Sequence, residues 1–163
     1  MKQETEFALL RSGCAVRLAQ ARDSDRIADL AGHLGYPSTG EEVRKRLSQM
    51  QDANQYAVFV AEFPGGQIAG WIGLYAFRTV ELETAAEISG LIVDEGVRGC
   101  GIGKTLLDAA EGWAHNICCD AISVRSNVTR DRAHQFYTNN GYEHLKTQKE
   151  FHKKLCCVIA SKR

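Results

Sequence analysis

The chain has 163 residues, enough for one domain with a proper core and short for two. Twenty Lys and Arg balance twenty Asp and Glu, and 44% of residues are hydrophobic against 25% charged; this is an ordinary globular mix without the broad positive field of a nucleic-acid-binding surface. The apolar run Phe7 to Leu10 is too brief for a secretion signal, and no stretch approaches the roughly 18 apolar residues of a membrane span, so a cytoplasmic protein with neither nucleic acid nor membrane as partner is expected.

The elements follow in chain order. Residues 14 to 19 alternate like a half-buried strand, and Ile27, Leu30, Ala31 and Leu34 then share a helical face. Gly35-Tyr36-Pro37 breaks that helix, and Thr39 with Glu42 has capping-box spacing ahead of Val43, Leu47 and Met50, which predicts a second helix. Two runs rich in β-branched and aromatic residues, 55 to 63 and 68 to 78, flank Pro64-Gly65-Gly66-Gln67 and read as a hairpin. A polar, acidic connection leads to a strand at 86 to 95, in which Gly90 suggests a bulge or a close backbone approach.

Next come VRGCGIGKT, a helix with Leu106, Ala110, Trp113, Ala114 and Ile117 in one stripe, and a strand at 121 to 126. Strand, glycine-rich turn, helix and strand call for a parallel pair with a right-handed crossover. A last helix places Ala133, Phe136, Tyr137 and Asn140 on one side and stops at Asn140-Gly141. Tyr142 to Lys146 and Lys149 to Leu155 read as a closing pair of strands. With no repeat or linker, residues 1–163 are expected to form one domain.

Among the six cysteines, Cys118-Cys119 and Cys156-Cys157 are adjacent pairs, which is no disulfide framework, so reduced thiols are expected. His115 with Cys118 and Cys119 is the nearest approach to a zinc set, and nothing completes four ligands; no metal is expected.

The turn from Arg98 to Lys104 joins a strand end to a helix start, where unpaired amides and the helix dipole favour an anion. Three phosphate-binding patterns use such a turn. A P-loop would need a glycine where Arg98 stands, and a dinucleotide fingerprint would need one at Lys104. The pattern [RQ]xxGx[GA] is met by Arg98, Gly101 and Gly103, and RAHQFYTNNGY at 132 to 142 supplies a second motif, A-x-x-F-Y-x-x-x-G-[FY]. In both motifs and in element order over nearly the whole chain, the sequence resembles the GNAT acetyltransferases.

That resemblance implies an α/β (α+β) fold: a central mixed, largely antiparallel sheet with a splayed parallel pair, flanked by about four helices. It implies acetyl-CoA as cosubstrate, with no metal. The backbone of Leu91, Ile92 and Val93 would hold the pantetheine arm as an added strand is held. Arg98, Gly99, Cys100, Gly101, Ile102, Gly103 and Lys104 would hold the diphosphate, while Asn127, Ala133 and Tyr137 would complete the coenzyme site.

Transfer to an amine needs a neutral nucleophile, a polarised thioester carbonyl and a proton for the thiolate. By the same resemblance Glu87, six residues before Val93, is the candidate base, acting through water. An ordinary Glu titrates at about 4.3, so this role calls for burial. Tyr137 resembles the family's tyrosine at the coenzyme sulfur; a phenol of ordinary pKa about 10 can donate to a thiolate of about 8.5. Cys100 has no nucleophilic role in direct transfer, and His33 and His134 read as helix-surface or packing residues.

Acceptor pockets in the family are built near the first two helices, which points to His33, Tyr36 and Thr39. Glu81, Glu83 and Glu87 place negative charge around mid-sheet and suggest a small cationic amine ahead of a peptide amine. The alternatives are a peptide or protein amine acetyltransferase, a non-catalytic acyl-CoA-binding regulator and, more distantly, an ATPase. A homodimer is compatible with the family, though nothing in the sequence identifies an interface.

Overall fold

The computed structural model describes residues 13–50, 52–81 and 83–154. The described residues up to Arg125 form one compact unit, and those from Ser126 onward form a second.

The first unit is built on a five-stranded sheet in the order β1-β2-β3-β4-β5. Strands β1 (Ala15–Leu18), β2 (Tyr56–Glu62), β3 (Ile68–Phe77) and β4 (Ala85–Val93) pair antiparallel, while β5 (Ala121–Val124) runs parallel to β4. The expected mixed, largely antiparallel sheet is present. Between β2 and β3 the Phe63 amide donates to the Gln67 carbonyl at 2.9 Å and that of Gly66 to the Phe63 carbonyl at 2.8 Å, which closes the hairpin.

Helices cover both faces, because the central strands are apolar at successive residues and so on both sides. α3 (Ile102–Asn116) lies over the face carrying Phe59, Ile72, Leu74, Ala86 and Ile88, and buries Ile102, Leu106, Leu107 and Ala110. The other face carries Val60, Trp71 and Ile92, packed against Ile27, Leu30 and Leu34 of the α1 region (Ser24–His33) and Val43 and Leu47 of α2 (Gly40–Gln49). Each large side chain fully buried in this way, such as Leu30 or Ile72, contributes about 1.5–3 kcal/mol. The α2 capping box forms as expected, with the Glu42 amide donating to Thr39 Oγ1 at 3.2 Å and the Thr39 amide to Glu42 Oε2 at 2.8 Å.

The β1 end is tied down by Arg17, whose guanidinium donates to both Asp23 carboxylate oxygens at 2.7 and 2.9 Å and both Glu62 oxygens at 2.7 and 2.8 Å. Among the described residues, no helix is long and apolar enough to cross a membrane.

The second unit contains α4 (Asp131–Asn139). The closing strand pair is not found: residues 143–154 carry no regular secondary structure, and Leu155 lies outside the described residues. Polar and charged residues dominate this segment, and its large apolar side chains Leu145 and Phe151 are 84% and 89% exposed, so alternation there buries nothing against a partner.

Candidate active site

β4 ends at Val93 and passes into a short turn, Glu95–Val97, where Asp94 accepts from the Gly96 amide at 2.9 Å and pairs with Arg26 of α1. This fixes the strand end before the glycine-rich turn. Gly99 and Gly101 have φ of +82° and +83°, a left-handed conformation that favours glycine. A Cβ built at either position meets nothing within 4 Å, so the space in front of the turn is open.

Gly101 is the N-cap of α3, and no side chain caps that helix. The amides of Ile102, Gly103 and Lys104 open the helix and have no carbonyl one turn back, and the dipole adds partial positive charge at the same place. Arg98 donates to the Val93 carbonyl at 3.1 Å and to Glu95 at 3.0 Å, and Lys104 pairs with Asp108. Both ion pairs are exposed and so weakly held, which leaves the cations free to exchange partners for an anion. The Cys100 side chain is exposed, and its amide belongs to the turn.

β4 carries the next feature. Its register on β3 slips between Gly73↔Gly90 and Leu74↔Ile88, so Ser89 is an extra, exposed residue: a bulge beside Gly90. Gly90 answers to a close approach, since a Cβ there would lie 2.8 Å from the Trp71 ring. Pairing with β5 runs from Ala85↔Ala121 to Ile88↔Val124 and stops. The β4 edge beyond it belongs to Gly90, Leu91, Ile92 and Val93, where the expected arm-binding residues sit.

Glu87 faces the α1 side of the sheet, opposite Tyr75 of β3 and Ser123 of β5. It is buried, at 8% exposure. Arg125, just past β5, donates from Nη2 to Glu87 Oε2 at 3.0 Å. Tyr75 lies beside the same carboxylate; burial and then Glu87 push its phenol up. Sequence reasoning missed Tyr75 and Arg125 as partners of Glu87. The available signal was that Ser123 and Arg125 share one face of β5, two residues apart.

Of the acceptor-side residues, Tyr36 is 71% exposed and Thr39 is engaged in the α2 cap. Glu81 and Glu83 are exposed, whereas the charge of Glu87 is shared with Arg125.

In the second unit, Tyr137 of α4 is half-buried, with ring centroids 5.3 Å from Phe136 and 5.4 Å from Tyr142. Burial pushes its phenol up to about 12, so it keeps its proton at neutral pH. Asn127 Oδ1 accepts from the Thr129 amide at 3.0 Å and hydroxyl at 2.9 Å, closing its own turn. Ala133 is half-buried in the first turn of α4, its amide donating to the Arg130 carbonyl at 2.9 Å.

Strand, left-handed glycine turn and helix thus stand in the arrangement that the sequence motif requires. Residues 20–142 match the family model described as the acetyltransferase (GNAT) family. The chain belongs to the GNAT acetyltransferase family. This GNAT chain is 33% identical over 79 residues to an aminoalkylphosphonate N-acetyltransferase of Salmonella typhimurium, a match spanning 48% of the chain and 51% of that protein, about half the relative's length. Among solved structures it resembles a GNAT family acetyltransferase of Staphylococcus aureus at 24% identity and TM-score 0.67, covering 88% of this chain and 99% of that one. It also resembles glucosamine-6-phosphate N-acetyltransferase of Arabidopsis thaliana, at 19% identity and TM-score 0.74, covering 85% and 97%. A third is an aminoglycoside acetyltransferase from an uncultured soil metagenome in complex with sisomicin, at 19% and 0.71, covering 88% and 97%. At these identities the structures show that the GNAT fold is shared.

Proposed function

We propose that residues 1–163 act as one N-acetyltransferase domain that moves an acetyl group from acetyl-CoA directly to a primary amine of a small molecule. The observation that carries this reading is the open, left-handed glycine turn at the start of α3, set directly after a strand that holds a buried carboxylate. A diphosphate fits there on charge and on space, since unpaired amides face a volume that two missing side chains leave clear.

Bound acetyl-CoA supplies the thioester carbonyl as electrophile and a thiolate as leaving group. The residues from Arg98 to Lys104 hold its diphosphate, and the backbone of Leu91, Ile92 and Val93 holds its arm. Glu87 removes the proton of the arriving ammonium through water, so that the nitrogen attacks as a neutral amine. In the second unit, Tyr137 keeps its proton at neutral pH, the state that a donor to the thiolate requires.

The acceptor presents a cation at its reacting end, and Glu87, with Glu81 and Glu83 nearby in sequence, supports that class. Aminoalkylphosphonates belong in the first screen because the Salmonella relative is named for them, alongside amino sugars and polyamines. The test pairs calorimetry with coenzyme A and a thioester-cleavage assay across such amines. Binding followed by turnover on small amines is the expected result. Tight binding of a nucleoside triphosphate with no heat from coenzyme A, or turnover on peptide N-termini alone, refutes the proposal.

A further inference from the structure

Glu87 does not meet an acceptor alone. The Arg125 guanidinium bonds to its Oε2 at 3.0 Å, and whereas the Glu87 side chain is 11% exposed, that of Arg125 is 72% exposed. The cation is therefore the solvent-facing half of the pair. Among the described residues, the bond through Nη2 is the one side-chain hydrogen bond Arg125 makes. The second hydrogen of Nη2, with the donor beside it, makes a further fork of the kind Arg17 uses twice, and that fork is left to water.

A pair of this kind presents a dipole, not a negative charge. An acceptor that is only cationic gains at Glu87 and loses at Arg125, because the opposed charges are one hydrogen bond apart and the exposed one is met first. An acceptor that also carries an oxyanion satisfies both groups, the anion taking two parallel bonds from the free fork, the second Nη2 hydrogen and the donor beside it. Both charges of the acceptor are met at one guanidinium–carboxylate pair, so its nitrogen and acid group must lie close together on a short chain. Tyr75 and Phe77, with ring centroids 5.9 Å apart, and Tyr56, paired with Tyr75, share this face of the sheet and offer an apolar wall to a short carbon linker.

We infer that the acceptor is a short zwitterionic amine, its ammonium reaching Glu87 through water and its oxyanion on the free fork of Arg125. Arg125 then determines specificity. The inference rests on the acetyltransferase reading above.

The test is steady-state kinetics with saturating acetyl-CoA on β-alanine and phosphoethanolamine, against propylamine, which lacks the anion, and spermidine, which adds cations. Wild type should favour the anionic amines over propylamine at least tenfold in kcat/KM. Arg125→Met should cut that preference tenfold or more, chiefly through KM, and Arg125→Lys should restore part of it. Because Arg125 is exposed, both variants should fold, which melting curves will show. Equal or faster turnover of propylamine or spermidine by wild type overturns the inference. So does an Arg125→Met loss that is the same for every acceptor, which would make Arg125 a strut for Glu87. Coenzyme A binding with no turnover on any amine rejects the acetyltransferase reading itself and the inference with it.

Discussion

Gly101→Ala separates what the glycine turn does for the fold from what it does for a ligand. At φ of +83° an L side chain costs about 1–2 kcal/mol. No further steric cost arises, since a Cβ there meets nothing within 4 Å. For a chain of this size the melting temperature should fall by about 2–8 °C. Gly66, in the β2–β3 hairpin, has the same φ of +83° and the same empty surroundings, so Gly66→Ala should destabilise equally. Only Gly101→Ala places a methyl group where the diphosphate must approach the amides. Its coenzyme A dissociation constant should rise at least about tenfold, or 1.4 kcal/mol, while Gly66→Ala leaves it unchanged. Calorimetric titration and thermal melts on both variants decide the matter. Parent-like binding by Gly101→Ala, or equal weakening by Gly66→Ala, would refute the placement of the diphosphate.

Glu87→Gln should lower kcat on small amines by about 10²–10⁴ and leave coenzyme A binding intact; the exposed Arg125 can rehydrate, so melting should stay near that of the parent, and retained activity would remove Glu87 from the mechanism. Tyr137→Phe should slow turnover about 10²-fold with little change in coenzyme binding. Because the folded Tyr137 titrates above an unfolded phenol, its contribution to stability is full below pH 10 and lost between pH 10 and about 12; melts across that range should show less decline in the variant. Arg17→Met leaves two partly buried carboxylates without their shared partner and should cost about 3–5 kcal/mol at pH 7. Burial raises the Asp23 carboxyl but Arg17 and the Gln20 amide outweigh it, and Arg17 also holds Glu62 low, so this stability is present above the ordinary carboxylate range and lost as pH falls through the folded values; the gap between variant and parent should narrow in acid melts. Cys118→Gly should stabilise by about 1 kcal/mol, because Cys118 stands at φ +57° just past α3, where the Cys119 amide donates to the Ala114 carbonyl and its own to His115.

Local patterns made most elements readable. The Thr39 and Glu42 spacing marked α2 through a reciprocal cap that needs no tertiary partner, and Gly99 and Gly101 marked the turn because few side chains tolerate its left-handed backbone. Gly90 marked both features that it suggested, the bulge, whose extra residue Ser89 stands beside it, and the close approach of Trp71 from the neighbouring strand. Long-range pairing is what the sequence hides: nothing local to Glu87 announces Arg125, 38 residues on. The end of α3 was also obscure, since Cys118 occupies a position where glycine would have signalled a stop. The strands expected at Tyr142 to Lys146 and Lys149 to Leu155 are absent from the described residues of that segment, which has too little apolar surface to bury.

The single added residue at Ser89 reverses inside-outside parity along β4. Glu87 and Ile92 are five positions apart, an odd spacing that would send them to opposite sides of an unbroken strand, yet both face α1. Were Ser89 deleted with Ile92 kept in its core, the carboxylate would turn beneath α3 among Leu106, Leu107 and Ala110, an apolar layer with no counter-ion for it. One insertion therefore lets half the strand answer to packing and the other half to chemistry, and neither half can be re-registered without the other.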